Sequence, residues 1–232
     1  QAITLGDRDT LLGPETLIAL HKKAKFPFLV ANLLSAETGK PMFNDRMIVE
    51  VDGLKVGLFG VTMTAAERRP VDGSPMVWRV DNPIKVAKEQ VRQLRSEGAE
   101  LVVALAHLSQ NELKNLAEQV PGITAVLAGN GTRSMTYPDH EGGAFICEAH
   151  SKGKYLSVLT LHLWKDRVPS DPFVDRFKHE GMRQEIQRLD ARISSYQRLV
   201  EKKAAEAKKA PDEATKAGPS RARRVGADYY QK

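Results

Sequence analysis

The chain has 232 residues, is 41% hydrophobic and carries 35 Lys and Arg against 29 Asp and Glu, a formal charge of +6. That is enough apolar material for one buried core and an appendage, and no stretch approaches the roughly 20 apolar residues of a membrane-spanning helix. The lone Cys147 excludes an internal disulfide and a cysteine-rich zinc site, and its apolar setting between Ala144 and Ala149 predicts a small buried hydrophobe.

The charge is uneven. Residues 174–232 hold 15 Lys and Arg against 9 Asp and Glu, so residues 1–173 are balanced at 20 of each and the excess belongs to the tail. The chain opens on Gln1-Ala2-Ile3 rather than Met, without the charged-then-apolar pattern of a signal peptide.

In chain order, Ile3–Leu5 reads as the end of a strand, followed by Gly6-Asp7-Arg8-Asp9 and a helix opening near Pro14, with Leu17, Leu20 and His21 at helical spacing. Phe28–Asn32 reads as a short strand. Met47–Val51 and Leu54–Val61 flank Asp52-Gly53, a strong hairpin signal. Asn82-Pro83 starts a helix with Ile84, Val86, Ala87, Val91 and Leu94 on one face, and Gly98 ends it. Leu101–Leu105 is an apolar run of the kind expected for a strand covered on both faces. A helix over Asn111–Val120, a turn at Pro121-Gly122, and strands over Ala125–Ala128, Ala144–Cys147 and Tyr155–Leu163 complete the β-rich part. Alternating strands and helices with hairpins predict an α/β sandwich with a mixed sheet.

Beyond Trp164 the composition changes. Residues 166–181 read as a linker, 182–210 as an amphipathic helix and 211–232 as a flexible basic tail with Arg221, Arg223 and Arg224 clustered. Met182, Ile186, Leu189, Ile193, Tyr196 and Val200 are spaced 4, 3, 4, 3, 4, a coiled-coil-like heptad seam. The Ile186, Leu189, Ile193, Tyr196 and Val200 face is expected to be covered by protein, either the body of the chain or a partner helix. Tyr229-Tyr230 alone does not supply the interleaved aromatics of a nucleic-acid-binding tail, so nucleic-acid binding ranks third among the functional readings.

Several blocks, read in order, carry a family resemblance: Gly6-Asp7-Arg8-Asp9 with Gly13-Pro14-Glu15-Thr16-Leu17, Phe26–Asn32, Val51–Val61, Leu101–Leu108, Val120-Pro121-Gly122-Ile123, Val126-Leu127-Ala128-Gly129 and Gly153-Lys154-Tyr155-Leu156. Residues 1–165 resemble the later part of a calcineurin-like metallophosphoesterase domain of the 5'-nucleotidase or UDP-sugar hydrolase type. The resemblance implies an αββα sandwich of mixed sheets flanked by helices, and hydrolysis of phosphate esters by two divalent metal ions. Such an activity needs oxygen and imidazole ligands, a bridging carboxylate and a His that supports the leaving group.

The family draws these groups from five motifs: Asp-x-His, Gly-Asp, Gly-Asn-His-Glu, an isolated His after a strand, and Gly-His-x-His. The first two are expected upstream of Gln1. The third stands here as Gly6-Asp7-Arg8-Asp9, with Asp7 at the Asn ligand position and Arg8 at the catalytic His position. A guanidinium stays protonated, so Arg8 neither shuttles a proton nor binds a cation. His107 keeps the fourth motif, while Gly129-Asn130-Gly131-Thr132 loses both imidazoles of the fifth, at Asn130 and Thr132.

Asp7 and His107 are therefore the residual metal-ligand positions, two donors do not hold a dinuclear site, and no bound metal or other cofactor is expected. A local charge network is the competing reading of Asp7, Arg8 and Asp9. Arg8 is a candidate anion contact together with backbone N–H groups near Gly6 and Gly129. His140, His150 and His162 lie outside the motifs. The expected function is a non-catalytic structural or interaction module, the alternative an active phosphoesterase whose missing motifs lie upstream, and the resemblance implies an extracytoplasmic location.

Overall fold

The computed structural model describes residues 1–67, 69–130, 138–149, 156–163 and 176–209. The chain divides into two compact units, Gln1–Phe173 and Val174–Lys232. The first is a mixed α/β structure whose central sheet has six strands in the order β2-β3-β5-β6-β8-β7. These are β2 (Arg46–Val51), β3 (Leu54–Thr62), β5 (Leu101–His107), β6 (Ala125–Ala128), β7 (Asp139–Glu141) and β8 (Ala144–Glu148). The four inner strands β3, β5, β6 and β8 run parallel, and the edges β2 and β7 pair antiparallel. A separate antiparallel pair joins β1 (Leu33–Ser35) to β4 (Trp78–Val80).

The local chemistry explains the regular elements. Asp52 and Gly53 both take left-handed backbone angles, φ 52° and 82°, which matches the twist of the β2–β3 hairpin they close. Helix α2 (Pro83–Ser96) has Pro at its first position, and the Asn82 side chain accepts from the N–H groups of Ile84 and Lys85. Helix α3 (Gln110–Gln119) opens on a reciprocal capping box between Ser109 and Glu112.

Ala87, Val91 and Leu94 of α2 and Leu113, Leu116 and Ala117 of α3 form one core with Phe59, Val61, Val102, Ala104, Ala106 and Val126 of the sheet. A second core gathers Leu5, Leu17, Phe28, Val30, Leu33, Phe43, Trp78 and Val80 around α1 (Pro14–Lys23) and the β1–β4 pair. His21 packs its ring against Phe28 and Phe43.

Three expectations are corrected. Phe28–Asn32 is not a strand of a sheet: Phe28 bridges Ile3 and Leu29 bridges Asn44, while the N–H of Ala31 donates to the carbonyl of Gly60. Its backbone bonds are divided among three neighbours, so an apolar run that is fully buried never forms a ladder with one partner. Likewise Ile3–Leu5 contributes a single bridge. Residues 156–163 of the expected last strand have no regular structure, and Leu156 and Val158 are 90% and 80% exposed. Alternation supplies a strand only where another backbone pairs with it, and none does so among the described residues; Tyr155 lies outside them.

The second unit contains α4 (Arg176–Lys209), which begins inside the stretch whose composition reads as linker. Propagating a helix needs good helix formers rather than apolar residues, and Met182 marks only the start of the seam. The seam itself is exposed, with 44% to 66% of each surface from Met182 to Val200 open. Residues 166–175 and the tail 210–232 lie outside the described residues.

Gly60 sits where the β3 backbone meets that of Leu29, and an added Cβ would lie 1.7 Å from the Leu29 carbonyl oxygen. Because the obstacle is the backbone of the fully buried Leu29, Gly60→Ala should lower stability by more than about 3 kcal/mol or prevent folding. Gly73→Ala, where a Cβ meets nothing within 4 Å but φ is 77°, should cost only about 1 kcal/mol. Urea unfolding of both variants checks the contrast.

Candidate functional site

The parallel strands bring Thr62, His107, Ala128 and Glu148 to their carboxyl ends side by side, through the pairings Thr62 with His107, Ala106 with Ala128, and Ala128 with Glu148. This is the edge at which open α/β sheets gather ligand-binding groups. His107 ends β5, and its carbonyl accepts from the N–H of Met63 at 2.9 Å. Asn32 is completely buried and secures the neighbouring strand end. Its side-chain nitrogen donates to the carbonyls of Thr62 at 2.7 Å and Asp81 at 3.0 Å, and its oxygen accepts from the N–H of Thr62 at 2.9 Å.

The loop before α1 comes to the same edge. Asp9 accepts from the N–H of Gly6 at 2.7 Å, and Thr10 donates its hydroxyl to the carbonyl of Asp7 at 3.1 Å, which folds the loop back on itself. A 3-10 turn over Asp9–Leu12 then leads through Gly13 into α1. This places Asp7 Oδ1 3.1 Å from His107 Nε2, with both side chains largely buried. The ring lies flat over Gly6, where an added Cβ would be 2.8 Å from His107 Cε1.

The two residual ligand positions are thus adjacent and in contact with each other. Arg8 is exposed. Asn130 is exposed just beyond β6, and Thr132 lies outside the described residues.

The Gly6 N–H is taken by Asp9, and the Gly129 N–H donates to the carbonyl of Ala106 at 2.9 Å, so neither glycine offers its donor to a ligand. Two nearby carboxylates, Asp7 and Asp9, also disfavour an anion at this point. Asp9 serves as a loop carboxylate. Of the other histidines, His140 stacks on Phe145 at 4.7 Å, His162 is exposed and His150 lies outside the described residues.

Glu148 was not singled out by sequence reasoning, although it stands on the same edge. It is 2% exposed, takes a 2.6 Å bond from Gln110 through Oε1, and has no hydrogen-bond partner for Oε2 among the described residues. The available signal was a carboxylate closing an apolar run. Beside it, burial pushes the Cys147 thiol above its ordinary range, which suits a packing role over a nucleophilic one. Asp7 and His107 are in contact, and among the described residues no group of three or more His, Cys, Asp or Glu is placed to hold an ion.

No family model matches the chain. It is 35% identical over 155 residues to a 2',3'-cyclic-nucleotide 2'-phosphodiesterase/3'-nucleotidase of Yersinia enterocolitica, covering 54% of this chain and 22% of that protein. It is 24% identical over 187 residues to a 5'-nucleotidase of Vibrio parahaemolyticus, covering 67% of this chain and 33% of the other.

The chain is a relative of the 5'-nucleotidase-type metallophosphoesterases. Solved structures agree on the fold. The sulfate thiohydrolase SoxB of Thermus thermophilus superposes with a TM-score of 0.61 at 23% identity, over 66% of this chain and 28% of that one. The calcineurin-like phosphoesterase YfkN of Bacillus subtilis gives 0.50 at 25% identity, over 56% and 44%. The chain therefore spans about a quarter to a third of the curated relatives described here. The six-stranded sheet and its flanking helices are the metallophosphoesterase fold expected from the motif blocks.

Because Asn32 leaves three buried backbone groups unpaired when truncated, Asn32→Ala should lower stability by roughly 2–4 kcal/mol. Gly6→Ala should cost less overall, about 1–2 kcal/mol, but should displace the His107 ring. Urea unfolding together with the histidine side-chain NMR signals checks both, and an unmoved His107 signal in Gly6→Ala would contradict the packing described.

Proposed function

We propose that residues 1–165 are a degenerate, non-catalytic 5'-nucleotidase-type metallophosphoesterase domain that serves as a structural or interaction module outside the cytoplasm. The observation that carries this reading is the direct contact of His107 Nε2 with Asp7 Oδ1 at 3.1 Å. An imidazole that donates to a carboxylate does so through the ring N–H, and a proton on Nε2 then occupies the position a metal would take.

Three further observations support the reading. Arg8, at the catalytic His position, is a permanent cation that would repel a metal and transfers no proton. Asn130 and Thr132 replace the imidazoles of the last motif. The glycine N–H groups near the pair are already used within the fold. With neither a Lewis acid nor a metal-activated water, the two largest contributions to phosphate-ester hydrolysis in such enzymes are gone.

A second reading has one observation in its favour. Asp7 and His107 stand together at the strand edge, and the matched segments are only 22% and 33% of the curated relatives named above, a cyclic-nucleotide phosphodiesterase/3'-nucleotidase and a 5'-nucleotidase. On that reading the rest of an active site comes from another part of a longer polypeptide.

Purified protein exposed to excess Mn²⁺ or Zn²⁺ and then desalted is expected to retain less than stoichiometric metal and to leave 5'-AMP, 2',3'-cyclic AMP and bis(p-nitrophenyl) phosphate intact. Two tightly held equivalents by elemental analysis, or turnover abolished by His107→Ala, would favour the second reading.

A further inference from the structure

The exposed seam of α4 has a charge pattern that selects its occupant. Along the 4, 3 spacing, Ile186, Ile193 and Val200 take one core position and Met182, Leu189 and Tyr196 the other, leaving two flanking rows. One row reads Arg183, Asp190, Gln197 and the other Glu185, Arg192, Leu199. All six flanking residues and the seam are exposed on the single chain, and a shallow apolar hollow lies among Ile193, Tyr196, Gln197, Val200 and Glu201. The first four of these occupy the positions that surround one knob of a facing helix in a coiled coil.

We propose that α4 pairs antiparallel with α4 of a second copy of this chain. In a parallel pair each row faces the other with an offset of five residues, so Glu185 meets Asp190 of the second copy and Arg192 meets Gln197: a repulsion and no attraction. In an antiparallel pair each row faces itself reversed. Both rows carry opposite charges one heptad apart, so a single register matches both: Arg183 with Asp190 of the second copy, Glu185 with its Arg192, and the same two pairs again by symmetry.

That register places Ile186 against Leu189, Met182 against Ile193 and His179 against Tyr196. Sliding the helices by one heptad to bring Val200 onto Met182 sets Asp190 against Asp190 and Arg192 against Arg192. A pattern that is complementary only to its own reverse indicates self-association over docking of an unrelated helix. Burying the seam also supplies the apolar contact that a helix of such low mean apolarity needs for stability in water. The inference goes beyond the function proposed above and does not depend on whether the first unit hydrolyses any phosphate ester.

Sedimentation equilibrium of the full chain and three variants tests it. The wild-type chain is expected to dimerise reversibly, and Ile193→Asp to be monomeric. Asp190→Arg places two arginines together in the antiparallel pair and should weaken dimerisation about tenfold, whereas in a parallel pair it would create an attraction to Glu185 and strengthen it. The double variant Arg183→Asp with Asp190→Arg should recover the wild-type constant to within about threefold. A wild-type chain that is monomeric up to about 200 μM, or dimerisation strengthened or unchanged by Asp190→Arg, overturns the proposal.

Discussion

The buried amide of Asn32 is the constraint from which the candidate site follows. It has no exposed surface, and through three bonds it ties the loop after α1 to the carboxyl end of β3 and to the approach of α2. Thr62 is paired with His107, so fixing one strand end fixes the height of the other. Each bond satisfies a backbone group that would otherwise be buried unpaired, which makes the whole arrangement an all-or-none unit. Gly60 and Gly6 then let chain pass close to chain on either side, one against Leu29 and one over the His107 ring.

On this scaffold Asp7 and His107 come together at the carboxyl edge of the sheet, with Asp7 Oδ1 3.1 Å from His107 Nε2. The carboxylate at position 7 gives His107 a hydrogen-bond partner within the protein. Arg8 next to it is compatible with that state, since a cation beside two carboxylates is favourable where a cation beside two metal ions is not.

Much of the fold was legible because its periodicities are strong. The Asp52-Gly53 turn, the Asn82-Pro83 start of α2 and the apolar run of β5 each depend on local chemistry, and each appears within a residue or two of its expected place. What was not legible depends on distant partners. Phe28–Asn32 has the composition of a strand but divides its backbone bonds, Trp78–Val80 becomes a strand only by pairing with Leu33–Ser35, and residues 156–163 alternate without a neighbour to pair with. In the site, the direct contact of Asp7 with His107 depends on the fold of the Gly6–Asp9 loop, where Asp9 accepts from the Gly6 N–H, and no sequence pattern announces it. Glu148 escaped notice because one carboxylate after an apolar run has no signature until the sheet register places it beside Ala128.

The central claim is that the His107 ring nitrogen is committed to Asp7 rather than open to a metal. Long-range proton–nitrogen NMR of the imidazole side chains, recorded while Mn²⁺ is titrated into the protein, reads this directly. The account predicts a His107 Nε2 that is protonated and bonded, with signals that persist through several equivalents of Mn²⁺ and a bond that is lost in Asp7→Ala. Selective broadening of His107 at the first equivalent, absent from the other histidines, would contradict it.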